Sequence, residues 1–191
     1  MATVSIIGTG NMGTAIAGIA RKAGATVEVI AHADADKPVT GDVVVLAVPF
    51  PALAEIAAQR GEQLAGKVVV DITNPVDFAT FDGLTVPADS SAAAQLQSAL
   101  PQARVVKAFN TSFAATLASG TVGEQTTTVL VAGDDDAAKA QVVDLVKGGG
   151  LRALDAGGLK RARELEAVGF LQMVLAAREQ IGWTGGFAVQ A

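Results

Sequence analysis

The chain reads as an α/β protein built on a doubly wound, mostly parallel sheet. Three observations predict this. Short apolar runs alternate with longer helical repeats, the central runs are apolar without a break, and a glycine-rich turn joins the first run to the first repeat. Alternation of this kind is the mark of βαβ units, and unbroken apolar runs belong to strands covered on both faces. The 191 residues hold no internal repeat, low-complexity tract or linker, so one domain over residues 1–191 is expected.

Thr3–Ile7 is the first expected strand and Asn11 to Ala23 the helix after it, with Ile16, Ile19 and Ala20 at helical spacing. Val27–Ile30 is the second strand. Val43–Val48 and Lys67–Ile72 are the unbroken apolar runs, and Pro51–Ala65 between them is a helix with proline in its first turn. Ser90–Leu100 is helical and ended by Pro101. Arg104–Ala108 and Thr127–Val131 read as strands, and Asp135–Val146 as a helix opened by acidic residues. Leu151–Leu154 is a last short strand, Leu159–Ile181 a long closing helix, and residues 159–191 form the closing helix and tail. One region is abbreviated. Only Ala31–Asp42 separates the second strand from the next, and Pro38 and Gly41 argue against a helix there.

The turn after the first strand is Gly8-Thr9-Gly10-Asn11-Met12-Gly13. Between a strand and a helix, glycines at this spacing have separate physical tasks. The first permits a tight turn, the second lets backbone approach a pyrophosphate, and the third allows close helix–strand packing. The helix N-terminus adds N–H donors and a positive dipole for the phosphates. This context predicts a Rossmann-type fold and a bound nicotinamide dinucleotide rather than a plain turn.

An NAD site usually carries Asp or Glu at the end of the second strand, where it binds the ribose hydroxyls. Here Ala31-His32-Ala33 stands at that place, with Asp34 and Asp36 slightly late. His32 and Lys37 are candidate donors to a 2′-phosphate, which favours NADP(H); a solvated loop is the competing reading of His32. Ala47-Val48-Pro49 and Thr73-Asn74-Pro75 close two strands at the end where open α/β sheets bind ligands, and Asn110 follows a third. These residues are expected to flank ribose and nicotinamide, with Asn110 donating to the carboxamide or the substrate. Prolines at such points also serve plain strand-to-helix turns.

Other chemistries are excluded by what the chain lacks. It has no tyrosine to act as a short-chain dehydrogenase acid, no cysteine, and only one histidine, far from the later strand ends. No nucleophile motif of the Gly-x-Ser-x-Gly kind occurs, and no cluster has metal-ligand spacing. Lys107 and Lys160 lie near expected loop ends, where solvated or structural roles outweigh catalytic ones, so no catalytic residue is assigned. The net charge of −5, without a block of lysine or arginine, argues against a nucleic-acid partner. No window approaches the roughly 18 apolar residues of a membrane span, and no signal peptide is visible, so a cytoplasmic protein is expected. Hydride transfer onto a second redox ring needs orientation and dryness more than a protein acid, which favours a small redox acceptor of that type.

The chain resembles the NADPH-dependent reductases of the 5-deazaflavin coenzyme F420, whose fold also forms the cytosolic NADPH domain of membrane ferric reductases. The residues that carry the resemblance run through Ile6 to Gly13, Val43 to Pro49, Lys67 to Pro75, Val105 to Thr111, and Asp155 to Leu159 leading into Arg161 to Glu166. The resemblance implies NADPH at Thr9 to Met12, with nicotinamide near Pro49, Asn74 and the Asn110 loop. It implies F420 as co-substrate and a homodimer formed through the C-terminal region. Family members commonly carry Ser/Thr-Arg after the second strand to grip the 2′-phosphate, where this chain has Ala31-His32 and no following helix. The expected function is hydride transfer between NADP(H) and a flavin-like acceptor, F420 first. Two alternatives stay open: a reductase of another small acceptor, and a non-catalytic dinucleotide-binding sensor or degenerate homologue.

Overall fold

The computed structural model describes residues 2–34 and 36–190; Ala35, inside the abbreviated segment, lies outside them with both terminal residues. In chain order the elements are β1 (Thr3–Ile7), α1 (Asn11–Lys22), β2 (Thr26–Ile30), β3 (Val43–Leu46), α2 (Ala52–Leu64), β4 (Val68–Asp71), α3 (Ala92–Ala99) and β5 (Arg104–Lys107). Then follow α4 (Ala114–Ser119), β6 (Thr121–Val122), β7 (Gln125–Thr126), β8 (Thr128–Gly133), α5 (Asp136–Gly148) and β9 (Arg152–Gly157). A 3₁₀ turn at Leu159–Arg161 leads into α6 (Ala162–Ala177).

Seven strands form one sheet in the order β2-β1-β3-β4-β5-β8-β9, with β1 to β5 parallel. Strand β8 joins β5 antiparallel, and β9 runs parallel to β8. The fold is the Rossmann-type, mostly parallel α/β sheet that the alternating pattern implies. Side chains alternate across it. Val4, Ile6, Val43, Val45, Val68 and Val70 face α1 and α5, while Ile7, Val44, Leu46 and Val69 face α2 and α3. Each such fully buried aliphatic contributes about 1.5–3 kcal/mol of transfer free energy, so the double-sided valine runs dominate the sheet's stability.

The helices begin where the local chemistry supplies caps. The Ser91 side chain accepts the Ala94 N–H at 3.0 Å to start α3, and Asp135 accepts that of Ala138 at 2.7 Å to start α5. Four features differ from the sequence expectation. The short helix α4 and the β6–β7 hairpin were not foreseen, because six and two residues are too few to display a period. Helix α6 ends at Ala177 rather than Ile181, with Glu179 taking a positive φ of 58° just beyond. The last sheet strand runs on to Gly157, since Asp155 and Gly157 pair with β8 despite their polar and flexible character.

No helix or strand occupies the described residues between β2 and β3. Side chains from the flanking elements hold that segment in place of a helix. Arg60 of α2 is buried and donates to the carbonyls of Lys37 at 2.7 Å and Asp34 at 2.9 Å. Gln63 accepts the Val39 N–H at 2.9 Å. On β2, Glu28 accepts from Ser5 Oγ at 2.7 Å and from Thr40 Oγ1 at 3.0 Å. Burial works against the charge of Glu28, but the donors Ser5 and Thr40 together hold its carboxyl below the ordinary range. Gly41 passes so near β1 that a Cβ there would lie 2.8 Å from Ser5 Oγ, so only glycine fits.

Candidate active site

The chain turns one way from β1 to β2 and the other way from β2 through β3 to β5, so the sheet reverses direction between β1 and β3. Ligands of such sheets bind in the crevice beyond the strand ends at this reversal. The glycine turn lies there. Gly8 has φ 120°, donates its N–H to Ile30 O at 2.9 Å, and a Cβ on it would overlap the Ala47 carbonyl oxygen. Gly13 is buried, and a Cβ there would run into the Gly8 carbonyl. Gly10 differs from both, because a Cβ on it would meet no protein atom within 4 Å.

The crest at Thr9, Gly10 and Asn11 is exposed, and Met12 beside it is half-buried. Gly10 caps α1 without a side chain, and the first turn of α1 holds no acid. The leading N–H groups of α1 are therefore left without a side-chain cap, beside a surface that admits close approach. This arrangement suits a pyrophosphate, so the residues present fit a dinucleotide.

At the other side of the crevice the ends of β4 and β5 are locked by charge. Asp71 and Lys107, the last residues of the two strands, are register partners and wholly buried. Lys107 Nζ donates to Asp71 Oδ2 at 2.9 Å and meets Glu166 Oε1 of α6 at 2.8 Å; it also donates to the Thr73 carbonyl. Asp71 Oδ1 accepts the Thr73 N–H at 2.8 Å, and Glu166 accepts the Ala92 N–H of α3 at 3.0 Å. Two carboxylates thus share one ammonium at a helix N-terminus. Burial pushes the Glu166 carboxyl above its ordinary range; Lys107 and the Ala92 N–H oppose that, and the charge of Asp71 adds to it.

The lock sets the next residues. Asn74 donates to the Asn110 carbonyl at 2.9 Å, and Asn110 Nδ2 donates to Asn74 Oδ1 at 2.8 Å and to Leu165 O at 2.9 Å. Phe109, fully buried, takes a positive φ of 64° to turn Asn110 into this pair. Gly169 of α6 packs against it so tightly that a Cβ would lie 2.6 Å from Asn74 Oδ1. Two buried polar atoms here have no protein partner, Thr73 Oγ1 and Asn110 Oδ1. Such atoms are rare and call for a further partner.

The structure therefore gathers Gly8 to Gly13, Ala47 to Pro49, Asn74, Pro75 and Asn110 at one end of the sheet. Asn110 is turned otherwise than expected: both its N–H groups serve the protein, and the atom left over is an acceptor. His32 stands exposed on the abbreviated segment. Lys37, expected to face a phosphate, donates instead to Val29 O at 3.0 Å and lies 3.8 Å from Glu28. Lys160 is exposed, and Lys107 is structural. Asp71 and Glu166 escaped the sequence reading, although a signal was present: two valine runs, Val68–Val70 and Val105–Val106, each end in a charge of opposite sign. A groove of about 810 Å³ lies across α1 from these strand ends, between α4 and the Gly149-Gly150 turn, and touches the glycine turn only at Asn11. Among the described residues no cluster suits a metal ion, and no helix is long and apolar enough to cross a membrane.

Comparison with known proteins agrees with this geometry. Residues 31–75 match a family described as NADP oxidoreductase, coenzyme F420-dependent. The F420-dependent NADP reductase of Methanocaldococcus jannaschii is 34% identical over 154 residues, covering 78% of this chain and 69% of that protein. The chain belongs to the coenzyme F420-dependent NADP oxidoreductase family. A crystal structure from Arthrobacter sp. FB24, provisionally assigned as an F420-dependent NADP reductase, superposes with a TM-score of 0.83 at 27% identity over the full length of both chains. Proteins with other names share part of this frame. Rat metalloreductase STEAP3 is 37% identical over 107 residues, 56% of this chain but 21% of that protein. An imine reductase of Streptomyces aurantiacus, at 17% identity and a TM-score of 0.65 over 93% of this chain and 62% of its own, shares the fold alone.

Proposed function

We propose that this family member transfers hydride between NADP(H) and a flavin-like acceptor, with the deazaflavin F420 first among acceptors. The observation that carries the reading is the crest at Gly10, open to solvent and uncapped, set at the reversal of a sheet whose relatives are named NADP reductases. Gly8 to Gly13 bind the pyrophosphate, and Ala47 to Pro49, Asn74, Pro75 and Asn110 border the nicotinamide. The dinucleotide supplies the hydride, and the acceptor takes it up with a proton from water. What remains for the chain is to orient two rings and keep water out, which suits a site without tyrosine or a histidine at the strand ends.

The α6 face bearing Val168 and Leu171, 37% and 52% exposed, supports a homodimer through the C-terminal region, to be checked by light scattering. The chain is read as a single domain and as cytoplasmic. The sensor reading loses ground because the abbreviated segment is anchored by Arg60, Gln63 and Glu28 rather than left loose. Loss of nicotinamide absorbance when the chain is mixed with NADPH and F420 is the expected result. Binding of NADPH without turnover on F420, flavins or small imines would leave the sensor reading in its place.

A further inference from the structure

The adenosine end of the crevice carries a carboxylate that its sequence position disguises. Asp34 stands four residues beyond β2, too late to serve as the acid that ends the second strand of an NAD site. The fold brings it back. Ala31 N–H donates to Asp34 Oδ2 at 3.1 Å, and Asp34 N–H donates to Ala31 O at 3.0 Å, which closes a turn on the first residue after the strand. Ile30 O, on the same peptide group as Ala31 N, accepts the Gly8 N–H at 2.9 Å. An unbroken chain of contacts thus leads from the glycine turn to an exposed carboxylate. That is the place where an acid accepts the adenosine ribose hydroxyls and repels a 2′-phosphate.

The cations beside it are bound to backbone carbonyls, Arg60 to that of Asp34 itself. Lys37 Nζ is bound to Val29 O and faces Glu28, and the Arg60 guanidinium grips the carbonyls of Lys37 and Asp34 from below the segment. Asp36 is exposed two residues on and adds negative charge, which leaves His32 as the side chain of opposite tendency. We infer that Asp34 is a specificity-determining residue that reads the ribose hydroxyls, so that this chain accepts NADH about as readily as NADPH. The inference rests on the dinucleotide reading above and departs from its preference for NADP(H).

Binding of NADPH and NADH by calorimetry to the wild-type chain, D34N and H32A tests it. D34N keeps an oxygen for the Ala31 N–H while removing the charge, so the turn survives; D34S serves as a second variant that retains a short acceptor. Wild-type affinities within about tenfold of each other are expected. D34N and D34S should shift the NADPH/NADH ratio toward NADPH by about tenfold or more, with H32A shifting it less. A wild-type preference for NADPH on the order of 100-fold, unmoved in D34N, would overturn the role of Asp34 and leave the dinucleotide reading intact. A ratio that moves in H32A and not in D34N would transfer that role to His32. Failure of the wild-type chain to bind either nucleotide would overturn both.

Discussion

The two ends of the crevice are held by opposite means. At the end beyond β4 and β5, where nicotinamide is proposed to lie, Asp71, Lys107 and Glu166 are wholly buried and tie β4, β5, α3 and α6 at one point. At the end beyond β2, proposed to take the adenosine, one buried arginine and a few surface side chains hold a segment whose own described residues are mostly exposed. A buried charge cluster tolerates few arrangements, because every unpaired member is costly in a low dielectric. A segment bonded at the surface can change sequence and length at small cost, because water replaces a lost partner. On the proposed binding mode, the site is rigid where the rings are to be aligned and adaptable where only the handle of the cofactor is to be recognised.

The sharpest way to break the comparison is Lys107→Met. It leaves two buried carboxylates facing each other, the situation in which removing one partner costs about 3–5 kcal/mol. Chemical denaturation should register a loss of that size. Because Lys107 also holds the Thr73 carbonyl, turnover should fall at least about tenfold through misplacement of Asn74. A stability loss below about 1 kcal/mol would mean that the cluster is not the rigid point of the site.

Arg60→Met acts at the other end. It removes charge-assisted bonds to two carbonyls, each worth about 1.5–3 kcal/mol before relaxation, on a segment that water can partly resolvate. The expected loss of stability is about 1–3 kcal/mol, smaller than that of Lys107→Met. Its effect on function should fall on nucleotide affinity, with the turnover of bound cofactor close to wild type. An equal loss of turnover in both variants would show that the two ends are not independent.

How much of this was legible in the sequence follows the same division. The strands from β1 to β5 and the glycine turn were readable because valine runs and glycine spacing are local signals. The antiparallel entry of β8 was not, since an apolar run does not reveal which way its neighbour points. The charge cluster was hidden because Glu166 lies about 60 residues from Lys107 in a helix that reads as an ordinary amphipathic one. Asp34 looked late because spacing counts residues along the chain, while the turn at Ala31 returns it to the strand end. Asn110 follows a strand that the sequence shows, but only coordinates show that Leu165 O and Asn74 Oδ1 take its donors.

The smallest effect is one of pH, and it isolates the buried end alone. Burial raises the Glu166 carboxyl above its ordinary value in the folded chain, against the pull of Lys107 and Ala92 N–H. Between the ordinary value of 4.5 and the raised one, the folded state holds a proton that the unfolded state has released. Stability then falls as pH rises through that window and is greatest below it, with a slope of at most about 1.4 kcal/mol per pH unit for one proton. Protonation leaves Lys107 with Asp71 as a one-to-one pair, which is why the acid form suits the fold. Glu166→Gln keeps an oxygen for the Ala92 N–H and removes the titration, so denaturation midpoints of this variant should lose that fall with pH. An unchanged pH dependence in the variant would mean that Glu166 does not titrate in that window.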